Sequence, residues 1–194
     1  MPVPRPESRS VWLLLSLMAL VAMLPTEAAA SCAPPGHPGA VYPSPDKAEA
    51  EMVFYVQRSL NANTVVYAVR LTAQGRLDPE RPIEAYWRNY ESSGRRSHLN
   101  WQERLLAYGV QWKPHQQAGY QVNIASSKEH QGHLYQDVFG VLRLEGLISG
   151  RRAYLSCAYV QLKDDRATIP SVLYVDLYGR DLKNGDPLHE RIQN

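Results

Sequence analysis

The stretch "IEAYWRNY", Ile83 to Tyr90, alternates apolar and polar side chains with a period of two. Successive Cβ atoms of an extended chain leave on opposite sides. Ile83, Ala85 and Trp87 therefore share one face, and Glu84, Tyr86, Arg88 and Tyr90 the other. A helix would scatter these sets around its axis. The segment predicts an antiparallel strand, half buried on one side. Upstream, "MVFYVQRS" (52–59) and "TVVYAVRLT" (64–72) are β-branched and aromatic runs. The "LNAN" between them reads as a hairpin connection in which either asparagine can take positive φ.

Downstream, "SSGRRSH" (92–98) reads as a polar loop, and "LNWQERLLAYG" (99–109) interrupts the β pattern. Asn100 can cap a helix, Glu103 sits three residues on as in a capping box, and Gly109 suits the position past the end. Trp101, Leu105 and Tyr108 form one stripe at helical spacing. They predict a short helix over about 101–108, packed on a sheet or closing a barrel end. Strand signals return in "YGVQW", "YQVNIAS" and "LYQDVFGVLRLEGLIS", the last followed by a turn at Ser149-Gly150. "RAYLSCAYVQL" (152–162) and "SVLYVDLYG" (171–179) complete the set before a polar tail. With neither a βαβ rhythm nor a repeat, the expectation is all-β: a single antiparallel sandwich or barrel of about 7–8 strands.

The N-terminus carries a different signal. Arg5 and Arg9 precede an apolar run of 14 residues, "VWLLLSLMALVAML", then Pro25 and "EAAAS". That run is short for a bilayer, which takes about 20 apolar residues. Residues 1–30 are expected to be a signal peptide cleaved after Ala30, leaving no transmembrane segment in the mature chain. Residues 31–51, with five prolines, form an extended arm. Residues 52–194 form one β-rich domain with a polar tail. The expected location is the periplasm or the medium.

Lys and Arg number 21 against 19 Asp and Glu, a net charge of +2 that argues against a nucleic-acid surface. Tyrosine stands out, 12 against 2 Phe, and suits a surface or cavity that is partly wet. Two cysteines occur, Cys32 and Cys157. In an oxidising compartment they are expected to form a disulfide. The alternative takes "AASC" as a lipoprotein site, with Cys32 the lipidated first residue.

The segments "FYVQRSLNANTVVYAV", "YWRNYE" with Gly94, and "LLAYG" resemble a bacterial family of small exported proteins, domain of unknown function 4833. The likeness spans most of Met52 to Gly179. It implies one domain and brings no activity, cofactor or partner. Cys32 lies outside it.

Two familiar catalytic patterns are missing from the sequence: neither G-x-S-x-G nor H-E-x-x-H occurs. His130, His133 and Asp137 carry donors that suit zinc or copper. Their spacing converges only on a helix, which Gly132 and the following strand pattern oppose, so this segment is expected to be a solvated loop. Glu84, Glu91, Glu103 and Asp137 show no spacing that singles out a hydrolytic pair. What remains is a polar and aromatic set: Arg58, Asn61, Asn63, Tyr86, Arg88, Tyr90 and Tyr108. If Trp87 faces the core, Arg88 flanked by Tyr86 and Tyr90 would present an accessible face able to stack a sugar or grip a carboxylate.

These readings predict an exported, non-enzymatic domain that binds a small molecule, a glycan or an envelope component, without a cofactor. The alternative is a periplasmic hydrolase or metal-dependent enzyme using the His130/His133 segment. Arg58 frames the question most sharply. A hairpin has no need of a guanidinium there, so it should meet either an acid in the sheet or a ligand.

Overall fold

The computed structural model describes residues 32, 45, 51–58, 62–126, 130–163 and 171–193. The expected leader, most of the Pro-rich arm and Asn61 lie outside them. The strands are β1 (Met52–Arg58), β2 (Thr64–Val69), β3 (Ile83–Asn89), β4 (Arg95–His98), β5 (Val110–Pro114) and β6 (Tyr120–Ile124). They continue with β7 (Gln131–Gln136), β8 (Leu142–Ile148), β9 (Arg151–Leu162), β10 (Val172–Asp181) and β11 (Pro187–Gln193). One helix, α1 (Trp101–Leu106), separates β4 from β5.

The strands hydrogen-bond in the order β4-β3-β2-β1-β9-β8-β7-β6-β5, with β10 on β9 and β11 on β10. Long β9 is the spine. Along one edge its start pairs with β8 and its later half, Cys157 to Val160, pairs with β1. Its other edge carries β10 from Ala153 to Leu162. Two wings, β1–β4 and β5–β8, thus leave one strand and curl into a half-barrel. The all-β class holds, but the sheet is mixed: β1 and β9 run parallel. Parallel neighbours need a long connection, and here strands β2 to β8 supply it.

Among the described residues there are eleven strands rather than about seven or eight. β4 lies in the expected loop, and β11 in the expected tail. The run from Leu134 to Ser149 is a hairpin bent at Asp137, whose Oδ1 accepts from the N–H groups of Phe139 and Val141. Ser149 and Gly150 have φ of 50° and 73°, as a two-residue primed turn requires.

The capping box forms as the sequence suggests: Glu103 N–H donates to Asn100 Oδ1 and Asn100 N–H to Glu103 Oε2, both at 2.8 Å. Gly109 is needed for a close approach, since a Cβ there would run into the carbonyl oxygen of Arg104. The expected packing of the helix is overturned, because none of its residues is buried. Leu99 and Tyr108, just outside α1, make the core contacts instead.

The core fills the inside of the curl with Phe54, Val65, Tyr67, Ile83, Trp87, Leu134 and Ile148 among others. Burying each large apolar side chain there stabilises by about 1.5–3 kcal/mol. A residual cavity of about 30 Å³ lies beside Tyr67, His130, Leu144 and Leu155. The opposite face of β1 and β9 is covered too. Cys32 and Cys157 form a disulfide with a Cα–Cα distance of 6.2 Å, packed with Tyr55 and Tyr178. Its partners are 125 residues apart, a closure that the chain-entropy model values at about 5 kcal/mol.

Candidate functional site

Trp87 is 7% exposed and belongs to the core, which fixes the two faces of β3. In register with it are Val65 of β2 and, one strand further, Val56 of β1. Arg58 shares the parity of Phe54 and Val56 and so ends β1 on that inner side. Its guanidinium carbon stands 5.2 Å from the centre of the Trp87 ring. Tyr108 reaches the same place from the far side of α1, its ring edge-on to Trp87 at 5.3 Å.

The Tyr67 hydroxyl donates to the carbonyl oxygen of Tyr108 at 3.1 Å, and the Arg58 guanidinium lies near enough to the Tyr108 phenol to favour its ionised form. Burial raises the pKa of the Tyr108 phenol above its ordinary value, against the pull of Arg58. Tyr67, more deeply buried, is pushed up further.

Arg58 itself is incompletely satisfied. Its Nε is buried without a hydrogen-bond partner. Among the described residues, no carboxylate forms an ion pair with it. An arginine cannot shed its proton to relieve this. The corner of Arg58, Trp87 and Tyr108 is therefore a fixed cation with one aromatic face, one phenol and unused donor capacity. Such a group grips a carboxylate or phosphate oxygen.

The other expected site residues part company from this corner. Tyr86 and Arg88 lie on the opposite face of β3, and Tyr86 is 3% exposed. The cause is β4, which adds along β3 and sets the Arg96 guanidinium 3.6 Å above the Tyr86 ring. Arg96 also pairs with Glu84. Arg88 Nη1 donates to the carbonyl oxygen of Gly94 at 3.0 Å, closing the β3–β4 turn. Tyr90 opens that turn. The accessible arginine flanked by tyrosines is not present. Asn63 ties two loops together: its Oδ1 accepts from Glu91 N–H at 3.2 Å, and Glu91 Oε1 accepts from Ala62 N–H.

His130, His133 and Asp137 do not converge. His130 borders the inner cavity, while His133 lies in β7 rather than in a solvated loop. Its ring stacks between His115 and Tyr135, at 4.0 and 4.8 Å between centres. Asp137 serves its turn and pairs with Arg143 at 3.5 Å. Among the described residues no three His, Cys, Asp or Glu side chains are grouped to hold a metal ion.

Sequence reasoning missed two further features. One is an open cleft of about 320 Å³ on the outer face, lined by His115, Gln121, Gln131, His133, Glu145 and Arg152. The other is Asp176, fully buried on the outside of β10. Arg191 clasps both its oxygens at 2.8 and 2.7 Å, and His189 Nε2 lies 3.0 Å from Oδ1. Burial works to raise the Asp176 pKa, yet the hydrogen bonds from Arg191 and His189 hold it below its ordinary value.

Residues 54–191 match a family model, and this span takes in the Arg58 corner, the cleft and Asp176. The chain belongs to the family described as a domain of unknown function (DUF4833). No curated protein and no solved structure matches it. Cys32 precedes the matched span of the DUF4833 domain. Among the described residues, no helix is long and apolar enough to cross a membrane.

Proposed function

We propose that the chain is exported and that its DUF4833 domain binds a small ligand bearing a carboxylate or phosphate at the Arg58 corner. The observation that carries this reading is the buried, unpartnered Nε of Arg58 on the inner face, with no acid among the described residues paired to its guanidinium. A buried donor without an acceptor, on a half-buried guanidinium without a counter-charge, opposes folding. An anionic ligand would supply that charge, with Trp87 as a flat wall and Tyr108 as a hydrogen-bonding neighbour. Export is supported by the apolar N-terminal run and by the Cys32–Cys157 pair, a bond that persists in oxidising compartments. That bond occupies the sulfur a lipid would need, which favours the unlipidated form.

The test is a titration with acetate, inorganic phosphate and glucuronate, followed by tryptophan fluorescence and calorimetry. At least one anion should give a saturable signal. Arg58→Gln should weaken that binding about tenfold or more, as loss of a charge-assisted pair implies, and leave the melting curve near wild type. An Arg58→Gln variant that binds equally well, or a wild type blind to all three anions, sinks the reading. If Arg58→Gln unfolds, the residue is structural.

A further inference from the structure

Helix α1 is unusual in what it shows to solvent. Trp101 is 71% exposed, and Leu105 and Leu106 are each 65% exposed. Trp101 and Leu105 are four residues apart and share one face of the helix, with Arg104 flanking them. Scattered apolar residues on a surface need no explanation, but three large ones on a six-residue helix do. Local folding does not call for them. The capping box starts the helix, Gly109 lets the chain turn away, and Leu99 and Tyr108 anchor the segment.

Around this patch cations outnumber acids, two guanidinium groups against one carboxylate. Glu103 is tied down by the backbone N–H of Asn100. Arg104, and Arg95 on the adjoining edge strand β4, are exposed and have no ion-pair partner among the described residues. Apolar side chains rimmed by free guanidinium groups match the boundary between lipid headgroups and acyl chains. Tryptophan settles at that depth and arginine meets the phosphates. With no buried residue, α1 offers a projecting edge rather than a pocket for a partner's side chain.

We propose that α1 and the β4 edge dock the domain peripherally on an anionic membrane surface. Trp101, Leu105 and Leu106 enter the headgroup–acyl boundary, and Arg95 and Arg104 contact lipid phosphates. Tyr108 follows two residues after α1, so docking brings the Arg58 corner close to the lipid surface. The docking does not depend on that corner being a ligand site.

The test uses the processed chain recovered after secretory expression, sedimented with vesicles of phosphatidylcholine alone or mixed with phosphatidylglycerol. The protein should sediment with the anionic vesicles, with a blue shift in tryptophan emission, and much less with the zwitterionic ones. High salt should weaken the association. Trp101→Gln should abolish both signals, and Arg104→Gln should weaken binding about fivefold, the order of effect of one cation at a membrane surface. Both positions are exposed, so unchanged melting of the variants confirms that they fold. Failure to sediment with anionic vesicles overturns the proposal, as does undiminished binding by Trp101→Gln. A lipid-free dimer that Trp101→Gln dissolves would also overturn it, by assigning the patch to a second copy of the chain.

Discussion

Two arginines, Arg58 and Arg191, sit on opposite sides of the same curled sheet, each over an aromatic ring. Arg191 lies 3.9 Å from the centre of Tyr174 and holds a fully buried carboxylate with both arms of its fork. Arg58 lies 5.2 Å from the centre of Trp87, near the Tyr108 phenol, and its Nε is buried without a hydrogen-bond partner. The first pair is closed: charge, donors and acceptors are matched inside the chain. The second is open. A matched pair needs no explanation beyond the fold, whereas one with no acid partner among the described residues leaves room for a ligand. The same residue type on the same scaffold thus serves the fold at one position and is proposed to serve binding at the other.

The comparison breaks most readily at Arg191. Arg191→Ala leaves Asp176 buried and unpaired but for His189, which should cost about 3–5 kcal/mol in urea unfolding. Replacing both members, Asp176→Asn with Arg191→Met, should cost much less, because no uncompensated charge remains. Equal losses for the single and double variants would show that packing, not charge, dominates at this position. Anion binding at the Arg58 corner should survive in both.

Acid should probe the same difference. Asp176 titrates below its ordinary value in the folded chain, so the stability it contributes is present above the unfolded-state value near 3.9. That contribution should fall away as pH drops through the folded value. Arg191→Ala should flatten the acid limb of a plot of stability against pH. Arg58→Gln should leave its shape unchanged, since no carboxylate among the described residues is paired there. A change of slope in Arg58→Gln would reveal a hidden acid partner and close the open corner.

Much of this was legible in the sequence, and what was hidden has a physical reason. Strand β3 announces itself because one of its faces is buried, so the period of two survives in composition. The capping box is local and reads directly from Asn100 and Glu103. β4 is an edge strand whose "RRSH" is polar on both faces, as unpaired edges often are, and nothing in it separates strand from loop. Missing β4 led to the wrong face of β3: without Arg96 overhead, Tyr86 and Arg88 look available. Missing β11 hid the reason for Asp176, whose partners lie 13 and 15 residues further on. Trp87 joins Arg58 and Tyr108 by parity, a signal present in the sequence once the core side of β3 is known. The helix stripe misled because helical spacing shows that a stripe exists, not what covers it.

The smallest effect is expected at Arg88, and it sharpens the contrast between the faces of β3. Its Nη1 donates to the carbonyl oxygen of Gly94 in a partly exposed turn. A charged donor to a neutral acceptor at such a site contributes about 1 kcal/mol. Arg88→Ala should lower stability by about that amount and leave anion titrations at the Arg58 corner unchanged, because Arg88 lies on the outer face while Arg58 and Trp87 lie within. A loss of binding without loss of stability in Arg88→Ala would place the ligand on the outer face after all. Since Asn89 Nδ2 also bonds across this turn to the carbonyl of Arg95 and the hydroxyl of Ser97, the hairpin should persist without the guanidinium.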